Sequence, residues 1–172
     1  ITRFFGLLGF LVCSGSAFSA DDTPAPARQV SQHFRSSKNK GHTTGYLLFL
    51  PKSYTAKSKP WPLLMFLHGS GERGNDLTLV KRHGPPKIVT TKSDFPFVVV
   101  SPQCAKEKRF EPSLLLELVD DLQTRLNVDP NRTYLTGLSM GGSGTWATAN
   151  TAPKRFAAIV PICGTAPIDQ KR

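Results

Sequence analysis

Two short runs of uninterrupted apolar residues constrain the fold of this sequence more than any other feature. Residues 62–67 (PLLMFL) and 97–100 (FVVV) contain no polar side chain. A strand with one face in water alternates apolar and polar residues, whereas a strand covered on both faces does not. The two runs therefore predict central strands of a mostly parallel sheet with helices packed against its faces.

Strand-like and helix-like segments alternate along the chain from residue 42 onward. Apolar residues recur every three or four positions in 112–126, which predicts an amphipathic helix with Pro112 in its first turn. Further strands are predicted at 46–50, 133–137 and 156–162, a turn at 128–131, and a second helix at 140–150. This alternation is typical of the α/β class.

The charge of the chain does not by itself indicate a nucleic-acid partner. The 172 residues carry a formal net charge of +10, from 22 Lys and Arg against 12 Asp and Glu. These basic residues are scattered, and they are not interleaved with aromatic residues as in proteins that stack single-stranded bases. We therefore expect no nucleic-acid partner. Because no apolar run approaches the roughly 18 residues of a membrane-spanning helix, no transmembrane span is expected either.

The N-terminal residues differ in kind from the rest of the chain. Arg3 precedes an apolar stretch at 4–12 and a run of mostly small residues at 13–20. This order predicts a secretory signal peptide at residues 1–19, with cleavage after Ser19, and hence a secreted or periplasmic protein.

Two further expectations concern the residues around this segment. A lipoprotein attached through Cys13 is the less favoured alternative, because Val12 is a poor small residue to precede a lipidated cysteine. Residues 20–41 combine prolines with a polar stretch and predict a linker. The remaining residues, 42–172, are expected to fold.

The sequence GLSMGG lies where a predicted strand passes into a predicted helix. It matches the pattern G-x-S-x-G, with Ser139 at the centre and Gly137 and Gly141 on either side. Small flanking residues allow a tight turn that lifts the serine oxygen clear of the sheet, and the following helix directs its first amides at a developing oxyanion. The pattern predicts Ser139 as a nucleophile and the N–H of Met140 as an oxyanion donor. A plain glycine-rich turn is the alternative.

A glycine-rich loop, HGSGERG, directly follows the strand predicted at 62–67. Such a loop can direct a second backbone N–H toward the same oxyanion, and Ser70 is the preferred donor, with Gly71 as the alternative. His68 belongs to this loop, and we expect it to anchor the loop by hydrogen bonds and not to act as a general base.

The same loop supplies candidate substrate contacts. Gly71 and Arg73 are predicted to bind substrate. Glu72 and Arg73 either line the substrate pocket or pair with each other on the surface.

Several motifs together resemble the α/β-hydrolase superfamily, and more narrowly its secreted esterase and predicted-peptidase branch. The resemblance includes the phospholipase/carboxylesterase, dienelactone hydrolase and polyhydroxyalkanoate depolymerase groups, and it covers about residues 42–167. The motifs are the HGSGERG loop, SPQC at 101–104, VDPNR at 128–132, TGLSMGG at 136–142 and ICG at 162–164.

The resemblance implies a serine hydrolase that cleaves carboxylic esters through an acyl-enzyme. In it, Ser139 attacks and the amides of Met140 and Ser70 hold the oxyanion. Ester-containing small molecules or polymers are the implied substrates, and no metal or nucleotide motif predicts a cofactor. A prolyl-oligopeptidase-type peptidase and a non-catalytic envelope binding protein are the two alternatives.

The sequence departs from this family in its histidines. The family's triad runs Ser, then Asp or Glu, then His. Here all four histidines precede Ser139, and Asp169, the one acid that follows, lies too soon after the last predicted strand to take the acid role. We therefore expect a partial α/β-hydrolase fold that lacks its last strands, leaves a sheet edge open and is inactive by itself.

The chain has three cysteines, of which Cys13 falls in the predicted signal peptide. If the family's strand order holds, Cys104 and Cys163 follow strands with two others between them. This separation is about 14 Å, whereas a disulfide needs Cα atoms within roughly 7 Å. No bridge is expected.

Overall fold

The computed structural model describes residues 27–38 and 41–166, which form a six-stranded sheet with helices packed against it. The strands are β1 (Gln29–Arg35), β2 (Thr43–Phe49), β3 (Trp61–Leu67), β4 (Val98–Pro102), β5 (Val128–Leu138) and β6 (Ala158–Ile162). The helices are α1 (Gly84–Ile88), α2 (Pro112–Arg125) and α3 (Met140–Thr151), and two short 3₁₀ turns lie at Ser70–Glu72 and Leu79–Arg82.

The strand order is β1-β2-β4-β3-β5-β6, with β3 parallel to β4 and β5, and β5 parallel to β6. β1 and β2 add an antiparallel pair at one edge. The two continuous apolar runs are β3 and β4, and the side chains of Leu63, Met65 and Val98 are fully buried. The prediction of buried central strands in a mostly parallel sheet is confirmed.

The amphipathic helix predicted at 112–126 is α2, which begins at Pro112 and ends at Arg125. Its apolar stripe is buried in the main core, together with alternate residues of the sheet. The stripe consists of Leu115, Leu118, Val119 and Leu122. The spacing predicted this helix because apolar residues that recur every three or four positions lie on one helix face, and that face packs on the sheet.

The linker predicted at 20–41 is wrong over residues 29–35. These residues form β1, which pairs antiparallel with β2 along its whole length. Most of its side chains are exposed or half-buried, and Phe34 is the exception. An edge strand in contact with water shows little apolar patterning, so the polar composition concealed it.

The turn predicted at 128–131 lies inside a longer strand. Trp61 of β3 pairs with Val128 and Leu63 pairs with Thr133, so β5 advances five residues while β3 advances two. The extra residues form a bulge, in which the carboxylate of Asp129 accepts a hydrogen bond from the N–H of Asn131 at 2.9 Å. The turn chemistry is therefore present as an interruption of β5.

The chain after β1 is held against α2 by one carboxylate. Glu117 is buried on α2 and accepts hydrogen bonds from the hydroxyls of Ser36 and Ser37, both at 2.6 Å. It also accepts from the backbone N–H groups of Ser37 and Lys38. These donors, foremost the hydroxyl of Ser36, lower the pKa of Glu117 to about 2.

The far edge of the described sheet is β6, which pairs with β5 along one side. Two large apolar side chains on it, Val160 and Ile162, are exposed. Within the described residues this is the open edge that the sequence predicted. Among the helices of residues 27–38 and 41–166, none has the length and apolar content needed to cross a membrane.

Candidate active site

Ser139 occupies a sharp turn between β5 and α3. Its φ of 55° and ψ of −112° lie outside the regions that a serine ordinarily adopts, and its side chain is exposed. The turn is held by hydrogen bonds on both sides, from the N–H of Ser139 to the carbonyl of Ile162 at 2.8 Å and from the N–H of Ser143 to the carbonyl of Ser139 at 3.0 Å. The strained backbone presents the hydroxyl at the N-terminus of α3.

The two glycines that flank Ser139 permit the turn by their lack of a side chain. A β-carbon on Gly137 would lie 2.3 Å from the carbonyl oxygen of Gly141, and one on Gly141 would lie 1.9 Å from that of Leu67. No side chain fits at such distances. The pattern G-x-S-x-G is thus required by close approach of the helix to its own strand and to β3.

The glycine-rich loop emerges beside this turn because β3 and β5 are parallel neighbours. Leu67 pairs with Gly137, so the loop that follows β3 and the turn that follows β5 leave the same edge of the sheet. A β-carbon on Gly69 would lie 3.8 Å from the carbonyl oxygen of Leu138. The structure therefore brings Ser70 and Gly71, which are both exposed, to the edge that carries Ser139.

His68 anchors the loop, as expected from the sequence. Its side chain is buried, and its Nε2 accepts a hydrogen bond from the N–H of Cys104 at 2.9 Å. The ring proton is then on Nδ1, which donates to the carbonyl oxygen of Gly69 at 2.6 Å. Burial lowers the pKa of His68 and keeps the ring neutral. Both nitrogens are occupied, so His68 is not available as a base.

Glu72 and Arg73 contact different partners and do not form the mutual ion pair that the sequence left open. The carboxylate of Glu72 is buried, 3.7 Å from Nε2 of His83 and 4.0 Å from Nδ1 of His68. Arg73 donates to the carbonyl oxygens of Ser70 at 3.1 Å and Lys108 at 3.2 Å. Arg73 therefore braces the loop through its backbone.

Gln103 is a loop-holding residue that the sequence reasoning missed. It is buried at the end of β4, and its Nε2 donates to the carbonyl oxygens of both Glu72 and Asp76 at 2.8 Å. Together with His68 it fixes both ends of the loop to β4. In the sequence, Gln103 contributed to the family resemblance as part of the SPQC motif, but no role was predicted for it. Its hydrogen bonds to the loop depend on β4 lying next to β3 in the sheet.

Two cavities open near this edge of the sheet. The smaller, of about 280 Å³, is lined by Met140 and Ser143 of α3, so it lies beside the turn that carries Ser139. The larger, of about 580 Å³, lies at the end of β4. Arg109 and Phe110 line both cavities.

The strands that follow one another between the two cysteines have the predicted order. β3 and β5 lie between β4 and β6, the strands that Cys104 and Cys163 follow. Both thiols are free, with Cys104 buried and Cys163 exposed. Within the described part of the chain, no group of three or more His, Cys, Asp or Glu side chains is arranged to hold a metal ion.

A mostly parallel sheet with a serine at positive φ between a strand and a helix defines the α/β-hydrolase class. Within this class, residues 37–169 match the model of the Esterase family, described as "Putative esterase", and the chain belongs to that family. The resemblance and the fold class predicted from the sequence are confirmed.

Individual relatives agree with this assignment. A thermostable esterase superposes with a TM-score of 0.66 at 32% identity, over 81% of this chain and 42% of that one. The S-formylglutathione hydrolase of Staphylococcus aureus has the same fold, with a TM-score of 0.64 at 22% identity over 80% of this chain and 57% of its own. A poly(3-hydroxyalkanoate) depolymerase of Paucimonas lemoignei is 42% identical over 48 residues, which are 28% of this chain and 12% of the depolymerase. The chain thus spans about half the length of these solved structures.

Proposed function

We propose that this chain carries the nucleophile and the oxyanion hole of a serine hydrolase that cleaves carboxylic esters. The observation that supports this most directly is the positive φ of Ser139, an exposed serine at the N-terminus of α3. Such a strain persists only where the surrounding structure enforces it, and it places the hydroxyl where a substrate carbonyl can approach. Membership of the esterase family supports the choice of ester as substrate.

The reaction follows in two steps. The oxygen of Ser139 forms a bond to the ester carbonyl carbon, and the bond to the alcohol oxygen breaks as the serine proton passes to the departing alcohol. Water then adds to the acyl-enzyme, which releases the carboxylic acid and restores the serine hydroxyl. The N–H groups of Met140 and Ser70 would stabilise the negative oxygen in both steps.

The braced loop supports the role given to Ser70. An oxyanion donor is effective when its position is fixed before the reaction, because no energy is then spent on reorganisation. His68, Gln103 and Arg73 each hold this loop by hydrogen bonds to backbone groups. We propose that Gly71 and Arg73 also contact the substrate where it passes over the loop.

We further propose that the general base is not among the 172 residues. All four histidines precede Ser139, and both ring nitrogens of His68 are occupied. Without its base, a serine hydrolase retains the residual catalysis of its oxyanion hole and of substrate binding. This chain alone would therefore react slowly with esters.

A fluorophosphonate probe tests the assignment of Ser139. The probe forms a covalent bond to an activated serine, and mass spectrometry of tryptic peptides identifies the modified residue. Because this chain supplies no general base, we expect slow labelling of Ser139 in it and faster labelling in a chain extended to supply a later histidine. Neither chain should be labelled when it carries Ser139→Ala. Ser53→Ala is the matched control. Ser53 is exposed beyond the end of β2, which lies at the amino-terminal ends of the parallel strands, whereas Ser139 lies at their carboxyl ends.

Two results would contradict the proposal. Label that persists in Ser139→Ala would place the reactive group elsewhere. Absence of label, both in this chain and in one extended to supply a later histidine, would show that Ser139 is not a nucleophile.

The substrate and the location of the protein are proposals of the same kind. Ester-containing small molecules and polymers both fit an exposed serine, and the likeness to the depolymerase supports including polyesters among the substrates tested. We propose that the protein is secreted or periplasmic. The segment at 1–19 that supports this lies outside the described residues.

A further inference from the structure

The larger cavity has no role in the chemistry proposed above. Its volume of about 580 Å³ is within the range of sites that hold small organic ligands. Gln103 and Cys104 line it at the carboxyl end of β4, and ligands of open α/β sheets bind beyond the carboxyl ends of parallel strands. Its position and size are those of a ligand site.

The lining of this cavity divides into an apolar part and a cationic part. Leu77, Phe110 and Leu114 contribute apolar surface, and Lys108 and Arg109 contribute positive charge. Neither Lys108 nor Arg109 forms an ion pair within residues 27–38 and 41–166. A ligand that matches both parts has an apolar body and a negative group.

The carboxylate of Glu111 also lines the cavity, and its negative charge opposes the positive charge of Lys108 and Arg109. It lies 3.3 Å from Nδ1 of His42 and accepts a hydrogen bond from the hydroxyl of Ser113 at 2.8 Å. The carboxylate therefore already has partners of its own. The imidazole of His33 also lines the cavity.

Arg109 and Phe110 connect this cavity to the one beside Ser139, because they line both. Phe110 is held in place, with its ring packed edge-on against His68 at a centroid distance of 5.0 Å. It also packs against α3, where a β-carbon on Gly144 would lie 3.2 Å from Phe110. The packed Phe110 ring and the Arg109 side chain thus border both cavities.

We propose that the larger cavity binds a carboxylate-bearing organic group and that Arg109 is the residue that selects it. If the bound group is part of the ester substrate, the substrate is an anionic ester. That part of the inference rests on the proposed function. A guanidinium holds a carboxylate through two parallel hydrogen bonds, and a neutral group of the same shape loses them. Phe110 separates the anionic group from the reacting carbonyl.

An NMR titration of the isotopically labelled full chain tests the proposal. The ligands are 4-phenylbutyrate, which has a carboxylate, and 4-phenylbutan-1-ol, which has a neutral hydroxymethyl group in its place. Neither contains an ester bond. We expect saturable shifts at the amides of Gly45, Cys104 and Leu115, with the acid bound about tenfold or more tighter than the alcohol. In Arg109→Gln the acid should lose most of this advantage over the alcohol, because Lys108 keeps a positive charge in the lining but cannot form the two parallel hydrogen bonds of a guanidinium.

Lys92→Gln is the matched control, because it removes one exposed positive charge at the opposite edge of the sheet and should leave both affinities unchanged. Equal affinities of the parent chain for acid and alcohol would overturn the proposal, and so would a preference for the acid in Arg109→Gln as large as in the parent chain. An equal loss in Lys92→Gln, or shifts confined to residues outside the cavity, would also overturn it. The titration does not need Ser139 to react. A failure of fluorophosphonate labelling would therefore count against the proposed hydrolase and leave this result intact.

Discussion

At the scale of single residues, the candidate site requires glycines beside Ser139 as well as the serine itself. Ser139 reaches its strained conformation because Gly137 and Gly141 let α3 approach β5 and β3 more closely than any β-carbon allows. Close backbone contacts therefore hold Ser139 in its strained conformation. Replacing one of these glycines by alanine adds a single methyl group and tests how tight the contacts are.

We predict that Gly141→Ala strongly destabilises the fold. The added methyl would lie 1.9 Å from the carbonyl oxygen of Leu67, and backbone on both sides would have to move. Overpacking of this kind costs about 3 kcal/mol or more when the obstacle is backbone. Urea unfolding curves of the variant and the parent chain measure the difference.

Gly71→Ala provides the comparison, because a β-carbon there meets no atom within 4 Å. Its free energy of unfolding should change by no more than about 0.5 kcal/mol. If the two alanine variants unfolded at the same urea concentration, close approach at Gly141 would not be what holds the turn.

At the scale of elements, Glu117 joins α2 to the segment that follows β1. Its carboxylate accepts four hydrogen bonds from Ser36, Ser37 and Lys38, which belong to a part of the chain with little apolar surface of its own. A charged acceptor thus ties this segment to α2, and the strength of the tie depends on ionisation.

We predict that Glu117 makes stability depend on pH in acid. The pKa of Glu117 falls from 4.5 to about 2 on folding, so the carboxylate contributes stability above pH 4.5, and this contribution is lost as the pH falls toward 2. At pH 7, Glu117→Gln should lower the free energy of unfolding by about 1–2 kcal/mol. Urea unfolding at pH 7, 4.5 and 3 should show the difference between variant and parent shrinking with pH.

Glu107→Gln removes an exposed carboxylate and should track the parent chain at each pH. A difference between Glu117→Gln and the parent that stayed constant down to pH 2.5 would show that ionisation of Glu117 does not hold this segment.

At the scale of the whole molecule, the sheet collects the site from segments that are distant along the chain. β4 lies between β2 and β3 although it follows both in sequence, and this order places Gln103 and Cys104 beside the loop after β3. The whole chain also includes an N-terminal segment outside the described residues, from which we propose export.

We predict that the full chain, produced in a bacterium with a periplasm, is recovered outside the cytoplasm with Ala20 as its first residue. Signal peptidase requires small residues at the two positions that Ala17 and Ser19 would occupy, so Ala17→Leu should block processing. N-terminal sequencing of the recovered protein measures both results. Cys13→Ala is the control, because its processing should be unchanged unless the protein is a lipoprotein. Recovery of an uncleaved cytoplasmic chain would contradict export.

The sequence by itself determined the features that are local. The apolar runs of β3 and β4, the period of α2 and the glycines around Ser139 each describe an element, or the junction of two, within a few residues of chain. Burial acts directly on such patterns, since a covered strand excludes polar residues and a tight turn excludes side chains. The class of fold and the position of the serine were therefore readable without a structure.

The tertiary structure alone decided what depends on contacts between distant residues. β1 is polar and becomes a strand because β2 offers it an edge, and Glu117 holds the following segment from 79 to 81 positions away. Likewise, Gln103 reaches the loop at 68–76, and Arg109 lines two cavities, because the chain returns to the same edge of the sheet. Hydrogen-bond partners and cavity walls are set by where strands pair, which a single sequence does not specify when its segments are polar.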